Sequence, residues 1–293
     1  MVTEMSVCNL CPRGCSVDRK TDKGYCSSGD EIILSKAMLH MWEEPCISGT
    51  NGSGAVFFGG CHLGCIYCQN SAIALNQRGR KISEKELCDV FLDLQKNGAH
   101  NINLVTPTHF ADKIANVVSF AKKEGLCVPV IYNTGGYERK ETVAMLKDTV
   151  DVYLPDFKYI NSDTAQKYSN APDYPQRAKE ALEEMVQQKS IIKKDLGGLV
   201  TEGVIVRHML LPGSLKNSKA VIEYLYKTYG DSIYISIVNQ YTPIKEFKDH
   251  PELSFVPTQR EYQKLIDYAL SLGVKNAYIQ GDGASSKEFI PDF

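Results

Sequence analysis

The sequence predicts a parallel α/β protein, and two patterns support this fold class. From residue 55 onward, six short apolar runs alternate with six amphipathic stretches, as in repeated strand–helix units. Polar residues lie in or directly after each of these runs. Because ligands of parallel α/β proteins bind at the carboxyl ends of the strands, the polar ends predict one ligand cavity. This alternation of strands and helices alone fits an open doubly wound sheet as well as a closed or partial barrel.

Local signals place the elements in order along the chain. The predicted strands are 55–60, 102–107, 127–136, 150–159, 204–213 and 232–241. The predicted helices are 83–98, 110–125, 138–148, 175–190, 218–230 and 259–273. The first helix begins after Ser83, an N-cap residue followed three positions later by Glu86, and it ends at Gly98.

Composition narrows the classes of partner. The 33 Lys and Arg residues nearly balance the 35 Asp and Glu residues, so no charge bias indicates nucleic acid or an anionic membrane surface. The first residues lack the apolar core of a signal peptide, and no apolar run is long enough to span a bilayer. We therefore expect a cytoplasmic protein that binds neither nucleic acid nor membrane.

Three of the ten cysteines, Cys61, Cys65 and Cys68, lie in the loop after the first predicted strand. A structural zinc site normally has four protein ligands, and disulfides are rare in a reducing cytosol. Three thiolates in one short loop therefore predict a metal centre that leaves one coordination position open.

A second group near the amino terminus consists of Cys8, Cys11, Cys15 and Cys26. Its spacing, C-x2-C-x3-C-x10-C, suits either a closed tetrahedral zinc site or an auxiliary iron–sulfur cluster. A disulfide framework is the remaining alternative. We expect residues 1–50 to form a cysteine-rich metal-binding segment with its connector, and residues 51–293 to form the core.

The connector holds the single tryptophan, Trp42, which lies at helical spacing from Met38 and Met41. Core packing is the expected role of Trp42, and a wall facing the substrate is the alternative. Cys46, close to Pro45, is expected to be a quiet buried thiol, with an extra metal ligand as the alternative.

The segment from Cys61 to Cys68 resembles the C-x3-C-x2-C signature of the radical S-adenosylmethionine (SAM) superfamily, including Tyr67 before the last cysteine. The resemblance implies a partial (β/α)6 TIM-type barrel and a [4Fe–4S] cluster whose fourth iron binds SAM. An electron from the reduced cluster then cleaves SAM to methionine and a 5′-deoxyadenosyl radical, which abstracts a hydrogen atom. It also implies an electron donor such as flavodoxin or ferredoxin.

Residues 45 to 290 resemble the branch of pyruvate formate-lyase-activating enzymes, through CIYCQN, YNTGGY, LPDFKY and VRHMLLPG. This likeness implies SAM-pocket roles for Tyr67, Asn133, Thr134, Asp156, Lys158, Arg207 and Tyr241. Asn133 stands where the branch has aspartate. The branch's G-G-E motif is absent, and TPTH replaces it, so Thr106, Thr108 or His109 is expected to take its role; His109 could equally be a helix-cap residue.

Three functions remain open at this point. The branch implies hydrogen abstraction from a glycine of a partner protein, as in the activation of glycyl radical enzymes. The same radical chemistry could instead modify a small molecule or another peptide. A non-catalytic iron–sulfur electron carrier or zinc adaptor is the third hypothesis, but a carrier would have no use for six polar strand ends around a cavity.

Overall fold

The computed structural model describes residues 7–74 and 78–281. Its strands are β1 (Ile32–His40), β2 (Ser53–Phe58), β3 (Arg80–Ile82), β4 (Ile102–Val105), β5 (Val130–Thr134), β6 (Val152–Pro155), β7 (Lys193–Lys194), β8 (Val200–Met209), β9 (Tyr234–Val238) and β10 (Ala277–Ile279). Its α-helices are α1 (Pro45–Ser48), α2 (Ser71–Ala74), α3 (Glu84–Lys96), α4 (Ala111–Lys123), α5 (Lys140–Met145), α6 (Ser162–Ser169), α7 (Tyr174–Gln188), α8 (Leu215–Tyr229) and α9 (Gln259–Leu272).

The strands form one unclosed sheet in the order β10-β9-β8-β6-β5-β4-β2-β1-β3, with β7 paired to β8. The neighbours from β2 to β10 pair in parallel, whereas β1 is antiparallel to both β2 and β3. The six predicted strands correspond to β2, β4, β5, β6, β8 and β9. The parallel, unclosed sheet confirms the predicted α/β partial barrel.

Strand register places the polar strand ends at one level. Val105 of β4 lies beside Asn133 of β5, and Thr134 lies beside Pro155 of β6. One residue further on, Asp156 forms a parallel bridge with Arg207 of β8. Because the carboxyl ends of parallel strands meet at one edge, residues far apart in sequence reach the same cavity.

Helix α3 illustrates how local sequence anchors a helix on this sheet. The Ser83 side chain accepts a hydrogen bond from the Glu86 backbone N–H, and the Glu86 carboxylate accepts one from the Ser83 N–H at 2.8 Å. This reciprocal capping satisfies two donors that have no partner within the helix. Leu87 and Phe91, one turn apart, are buried in the cluster that also contains Ile102 of β4. The predicted start of this helix is thus confirmed.

The expected core packing of Trp42 is wrong. Residues Ile32–His40 form β1, because a nine-residue run gains backbone partners by pairing with both β2 and β3, so the helical spacing of Met38 and Trp42 does not reflect a helix. Trp42 follows that strand with 55% of its surface exposed, and Met41 is also exposed, so neither packs in the core. Trp42 instead lies in the wall of the cavity described below.

The short helix α1 covers the amino ends of the barrel strands. Its Cys46 and Ile47 are buried in an apolar cluster with Ile131, Val152 and Ile205. Burial raises the pKa of the Cys46 thiol to about 11, so the thiol stays protonated. Its place in this cluster agrees with the expectation of a quiet buried thiol.

Gly136, in the turn after β5, offers a test of this packing. Its φ is +78°, and a Cβ there would lie 2.0 Å from the Asp156 carbonyl oxygen. Gly213 has a similar φ of +70° with no atom within 4 Å of such a Cβ. We expect Gly213→Ala to cost about 1–2 kcal/mol for the left-handed backbone. Gly136→Ala should cost about 1–3 kcal/mol more for the clash.

Urea denaturation of both variants measures this difference directly. Equal midpoints for the two variants would show that the turn at Gly136 can move away from Asp156, in which case the strand ends are less rigidly held than the structure indicates.

Candidate functional site

A cavity of about 230 Å³ opens at the carboxyl ends of the strands. Ten of the residues predicted from the sequence line it: Cys61, Cys65, Tyr67, Cys68, Thr106, Asn133, Thr134, Asp156, Lys158 and Arg207. They come from the loop after β2 and from the ends of β4, β5, β6 and β8. The fold therefore brings together side chains that are up to 146 residues apart in sequence, from Cys61 to Arg207.

Two of the three thiols in the loop accept hydrogen bonds at sulfur. The Leu63 N–H donates to Cys61 Sγ at 3.4 Å, and the Ser169 hydroxyl donates to Cys65 Sγ at 3.0 Å. Burial raises the pKa of the Cys68 thiol to about 12 and also raises that of Cys61. Without a cation the thiols of Cys61 and Cys68 stay protonated, and a bound metal would ionise them.

The chemistry of this donor set suits an iron–sulfur cluster. Within residues 7–74 and 78–281, no three Cys, His, Asp or Glu side chains converge closely enough to hold a single metal ion. Cys61, Cys65 and Cys68 are instead arranged around the cavity wall. Separate thiolates around a cavity fit a multi-iron cluster, which binds its cysteines through different iron atoms.

Lys158 and Asp156 form an ion pair beside these thiols. Lys158 Nζ lies 2.5 Å from Asp156 Oδ2, and both side chains are largely buried. Burial alone would lower the pKa of Lys158, but the charges of Asp156 and Cys65 raise it above its ordinary value. Lys158 is therefore a fixed positive charge facing the thiols.

Arg207 is bound by two carboxylates that sequence reasoning missed. Its Nε donates to Glu44 at 2.9 Å, and its Nη2 donates to Glu43 at 2.6 Å and to Glu44 at 2.7 Å. Ser236 also donates to Glu44, at 2.8 Å. Burial alone would raise the pKa of Glu44, but the charge and hydrogen bonds of Arg207 bring it below its ordinary value. The sequence signal was the adjacent pair of acids before Pro45, in a segment interpreted as a connector.

Glu43 extends this cluster into the cavity wall. Its Oε1 accepts from the Asn103 amide at 3.0 Å and from the Asn133 amide at 3.5 Å. Asn133, predicted to contact SAM, therefore already has one protein partner. The same holds for Arg207, whose side chain lines the cavity while two of its nitrogens bind carboxylates.

Thr108 does not reach the cavity. Its hydroxyl donates to Glu138 at 2.7 Å, and Thr134 donates to the same carboxylate. Burial raises the pKa of Glu138 to about 7, which the hydroxyl donors partly offset. His109 is buried as well, with Nε2 at 2.9 Å from the Gly59 carbonyl oxygen, so it braces the end of β2.

Of the two tyrosines predicted to contact SAM, one lines the cavity and the other lies behind it. Tyr67 lines the cavity, and its hydroxyl shares a 2.7 Å hydrogen bond with Tyr159. Tyr241 is fully buried and donates to the Leu253 carbonyl at 2.5 Å. The rings of Tyr67 and Tyr241 meet edge to face at 6.1 Å, so Tyr241 supports Tyr67 rather than lining the cavity.

The amino-terminal thiols lie near one another, and a single metal ion would have to draw them together, because no three of them, all within the described residues, converge closely enough as they stand. A Cβ on Gly24 would lie 3.0 Å from Cys15 Sγ and 3.6 Å from Cys26 Sγ. Burial, with smaller contributions from the neighbouring Cys26 and Cys8, raises the pKa of Cys11 to about 12. Protons on closely spaced buried thiols are replaced when a thiophilic metal binds.

Charged side chains of both signs line the cavity. Three carboxylates lie in or beside it, on Glu43, Glu44 and Asp156. Two cations, Lys158 and Arg207, pair with them. The charges that line the cavity therefore balance, with Glu43 and Asp156 against Lys158 and Arg207, and Glu44 lies outside this lining.

A family model described as the Radical SAM superfamily matches residues 55–236. The uncharacterized protein MJ0674 of Methanocaldococcus jannaschii is 26% identical over 272 residues, which cover 89% of this chain and 74% of that protein.

In the described ranges 7–74 and 78–281, none of the helices is both long and apolar enough to cross a bilayer.

Among solved structures, Streptococcus suis SuiB bound to precursor peptide SuiA is similar, with a TM-score of 0.51 and 16% identity. The match covers 76% of this chain and 47% of SuiB, so this chain spans about half the length of SuiB. A domain of pyruvate-formate lyase-activating enzyme from Bacteroides vulgatus gives a TM-score of 0.40, too low to support an argument. The family match extends from β2 into β9 and contains the whole three-cysteine loop, so this chain belongs to the radical SAM superfamily.

Proposed function

We propose that Cys61, Cys65 and Cys68 bind a [4Fe–4S] cluster, and that SAM binds in the adjoining cavity. One observation carries this proposal: three thiols share a cavity with polar side chains from four strand ends. An electron carrier or zinc adaptor needs no such cavity. When bound, the reduced cluster and SAM supply a 5′-deoxyadenosyl radical for hydrogen abstraction.

The protein's own residues would hold the cofactors in place. Lys158 offsets part of the negative charge of the three thiolates, and Asp156 fixes the Lys158 side chain. The carboxylates of Glu43 and Asp156 in the cavity wall complement the sulfonium and ammonium groups of SAM. Thr106, Asn133 and Thr134 offer hydroxyl and amide groups on the cavity wall for its polar atoms.

A glycine of a partner protein is our preferred source of the abstracted hydrogen atom, by the resemblance to activating enzymes. Support for a peptide comes from SuiB, a structural neighbour whose structure contains a precursor peptide. A second cavity of about 520 Å³ shares Trp42, Glu43 and Gln240 with the first and includes Tyr278. Its size also suits a small molecule, which is the alternative substrate class.

Two further partners complete the proposal. A flavodoxin or ferredoxin would deliver the electron. The thiols of Cys8, Cys11, Cys15 and Cys26 would bind zinc or an auxiliary iron–sulfur cluster.

Production of 5′-deoxyadenosine tests the proposed chemistry. We expect anaerobically reconstituted, dithionite-reduced protein to convert SAM to 5′-deoxyadenosine and methionine in equal amounts. With a peptide that carries Cα-deuterated glycine, deuterium should appear in the 5′-deoxyadenosine. Iron-loaded, reduced protein that leaves SAM intact would refute the proposed chemistry. Cleavage of SAM without deuterium transfer from any glycine peptide would favour the small-molecule substrate.

A further inference from the structure

Arg13 joins the amino-terminal thiol segment to the three-cysteine loop. It lies between Cys11 and Cys15 in sequence. Its Nε donates to the His62 carbonyl at 2.8 Å, and its Nη2 donates to the Leu63 carbonyl at 2.8 Å. Both carbonyls lie inside the loop that runs from Cys61 to Cys65. Arg13 therefore links the segment that carries the four amino-terminal cysteines to the three-cysteine loop.

The same guanidinium fixes a second support of the loop. It donates to the carbonyls of Ser169 at 2.9 Å and Asn170 at 2.5 Å. The hydroxyl of Ser169 is the donor to Cys65 Sγ, so this contact also sets the position of a predicted ligand. The ring centre of Tyr25 lies 3.9 Å from Arg13 Cζ, and the ring centre of Tyr137 lies 5.2 Å from it. Four carbonyls and two rings hold Arg13 in one geometry.

Close backbone packing joins the two segments at a second point. A Cβ on Gly60, the residue before Cys61, would lie 2.6 Å from the Cys26 carbonyl oxygen. Ser28 donates to the Gly59 carbonyl at 3.4 Å. The backbone that carries Cys26 therefore rests directly on the backbone that enters the three-cysteine loop.

We propose that metal binding at Cys8, Cys11, Cys15 and Cys26 orders the three-cysteine loop through Arg13, a positioning residue. The metal holds Cys11 and Cys15 in place on either side of Arg13, and Arg13 in turn fixes the carbonyls between Cys61 and Cys65. Losing that metal releases the guanidinium and lets the loop open. The metal at the four amino-terminal thiols and the [4Fe–4S] cluster both rest on the proposed function, but the ordering of the loop does not require the cluster.

Hydrogen exchange of residues 61–68, measured by mass spectrometry on the full chain, tests this coupling without any cluster. One equivalent of zinc should protect the four amino-terminal thiols from alkylation and slow hydrogen exchange of residues 61–68. In Arg13→Ala, zinc should protect the same thiols but no longer slow exchange. If Arg13 only stabilised the fold, zinc would still slow hydrogen exchange of residues 61–68 in Arg13→Ala.

Arg139→Ala is the matched control. Arg139 donates to the Asn9 carbonyl at 3.2 Å, so it also contacts the amino-terminal segment, but it has no bond to the three-cysteine loop. We expect this variant to keep the zinc effect. The proposal is overturned if zinc slows exchange equally in Arg13→Ala and wild type. It is also overturned if neither zinc nor iron–sulfide reconstitution protects the four thiols, or if their protection leaves wild-type exchange unchanged.

Iron release provides a second readout on reconstituted protein. A chelator should remove iron from the three-cysteine loop roughly 10- to 100-fold faster in Arg13→Ala than in wild type. Wild-type protein that holds no iron on this loop would contradict the proposed function, while the exchange result would still decide the role of Arg13.

Discussion

Replacing Cys61, Cys65 or Cys68 with alanine is expected to reduce 5′-deoxyadenosine formation below detection. Each thiol would supply one of three protein ligands, so a single loss leaves the cluster with too few bonds to the protein. Iron and sulfide analysis should show loss of the cluster, and the reduced variants should lack its EPR signal.

Cys127→Ala is the control for this experiment. Cys127 is an exposed thiol before β5, away from the cavity wall. We expect wild-type cluster content and SAM cleavage in this variant. A Cys65→Ala protein that cleaves SAM at the wild-type rate would exclude the assignment of the three cysteines as cluster ligands.

The sequence predicted the six strands β2, β4, β5, β6, β8 and β9 and missed β1, β3, β7 and β10. Strand β8 has ten residues, enough for a clear pattern, whereas β10 has only three. Strand β1 was missed because its pairing with β2 and β3 depends on contacts made after folding. Local sequence contains the period of an element but not the partner that completes its hydrogen bonds.

The site residues were predictable from the sequence where the alignment of parallel strand ends alone determines where a side chain lies. Asp156 and Arg207 meet because the ends of neighbouring parallel strands are aligned. The choice of partner was not predictable: Arg207 binds Glu43 and Glu44, more than 160 residues earlier. Thr108 faces Glu138 instead of the cavity for the same reason. Such pairings follow from three-dimensional packing, which single-sequence patterns do not encode.

Arg207→Ala is expected to destabilise the fold by about 3–5 kcal/mol, the usual cost of leaving a buried charge without its partner. Glu43 and Glu44 are both nearly inaccessible to solvent, with side chains 9% and 5% exposed. In the variant, two neighbouring carboxylates would repel each other without the guanidinium between them. Urea denaturation near pH 7 measures the loss. Arg207→Lys should recover only part of it, because an ammonium cannot reproduce the fork of donors.

The pH dependence separates charge repulsion from simple loss of packing. Arg207 holds the pKa of Glu44 below its ordinary value. The stability contributed by this ion pair is therefore present above the pKa of glutamate in the unfolded chain, about 4.3, and is lost as the pH falls through the pKa of Glu44 in the folded protein. The difference in stability between wild type and Arg207→Ala should therefore shrink as the pH is lowered from 7 to below about 4. Adding Glu43→Gln and Glu44→Gln to Arg207→Ala should restore stability at pH 7, since neutral amides leave no buried charge. If the difference is the same at both pH values and the triple variant is no more stable than Arg207→Ala, the carboxylates do not depend on Arg207 and lost packing accounts for the effect.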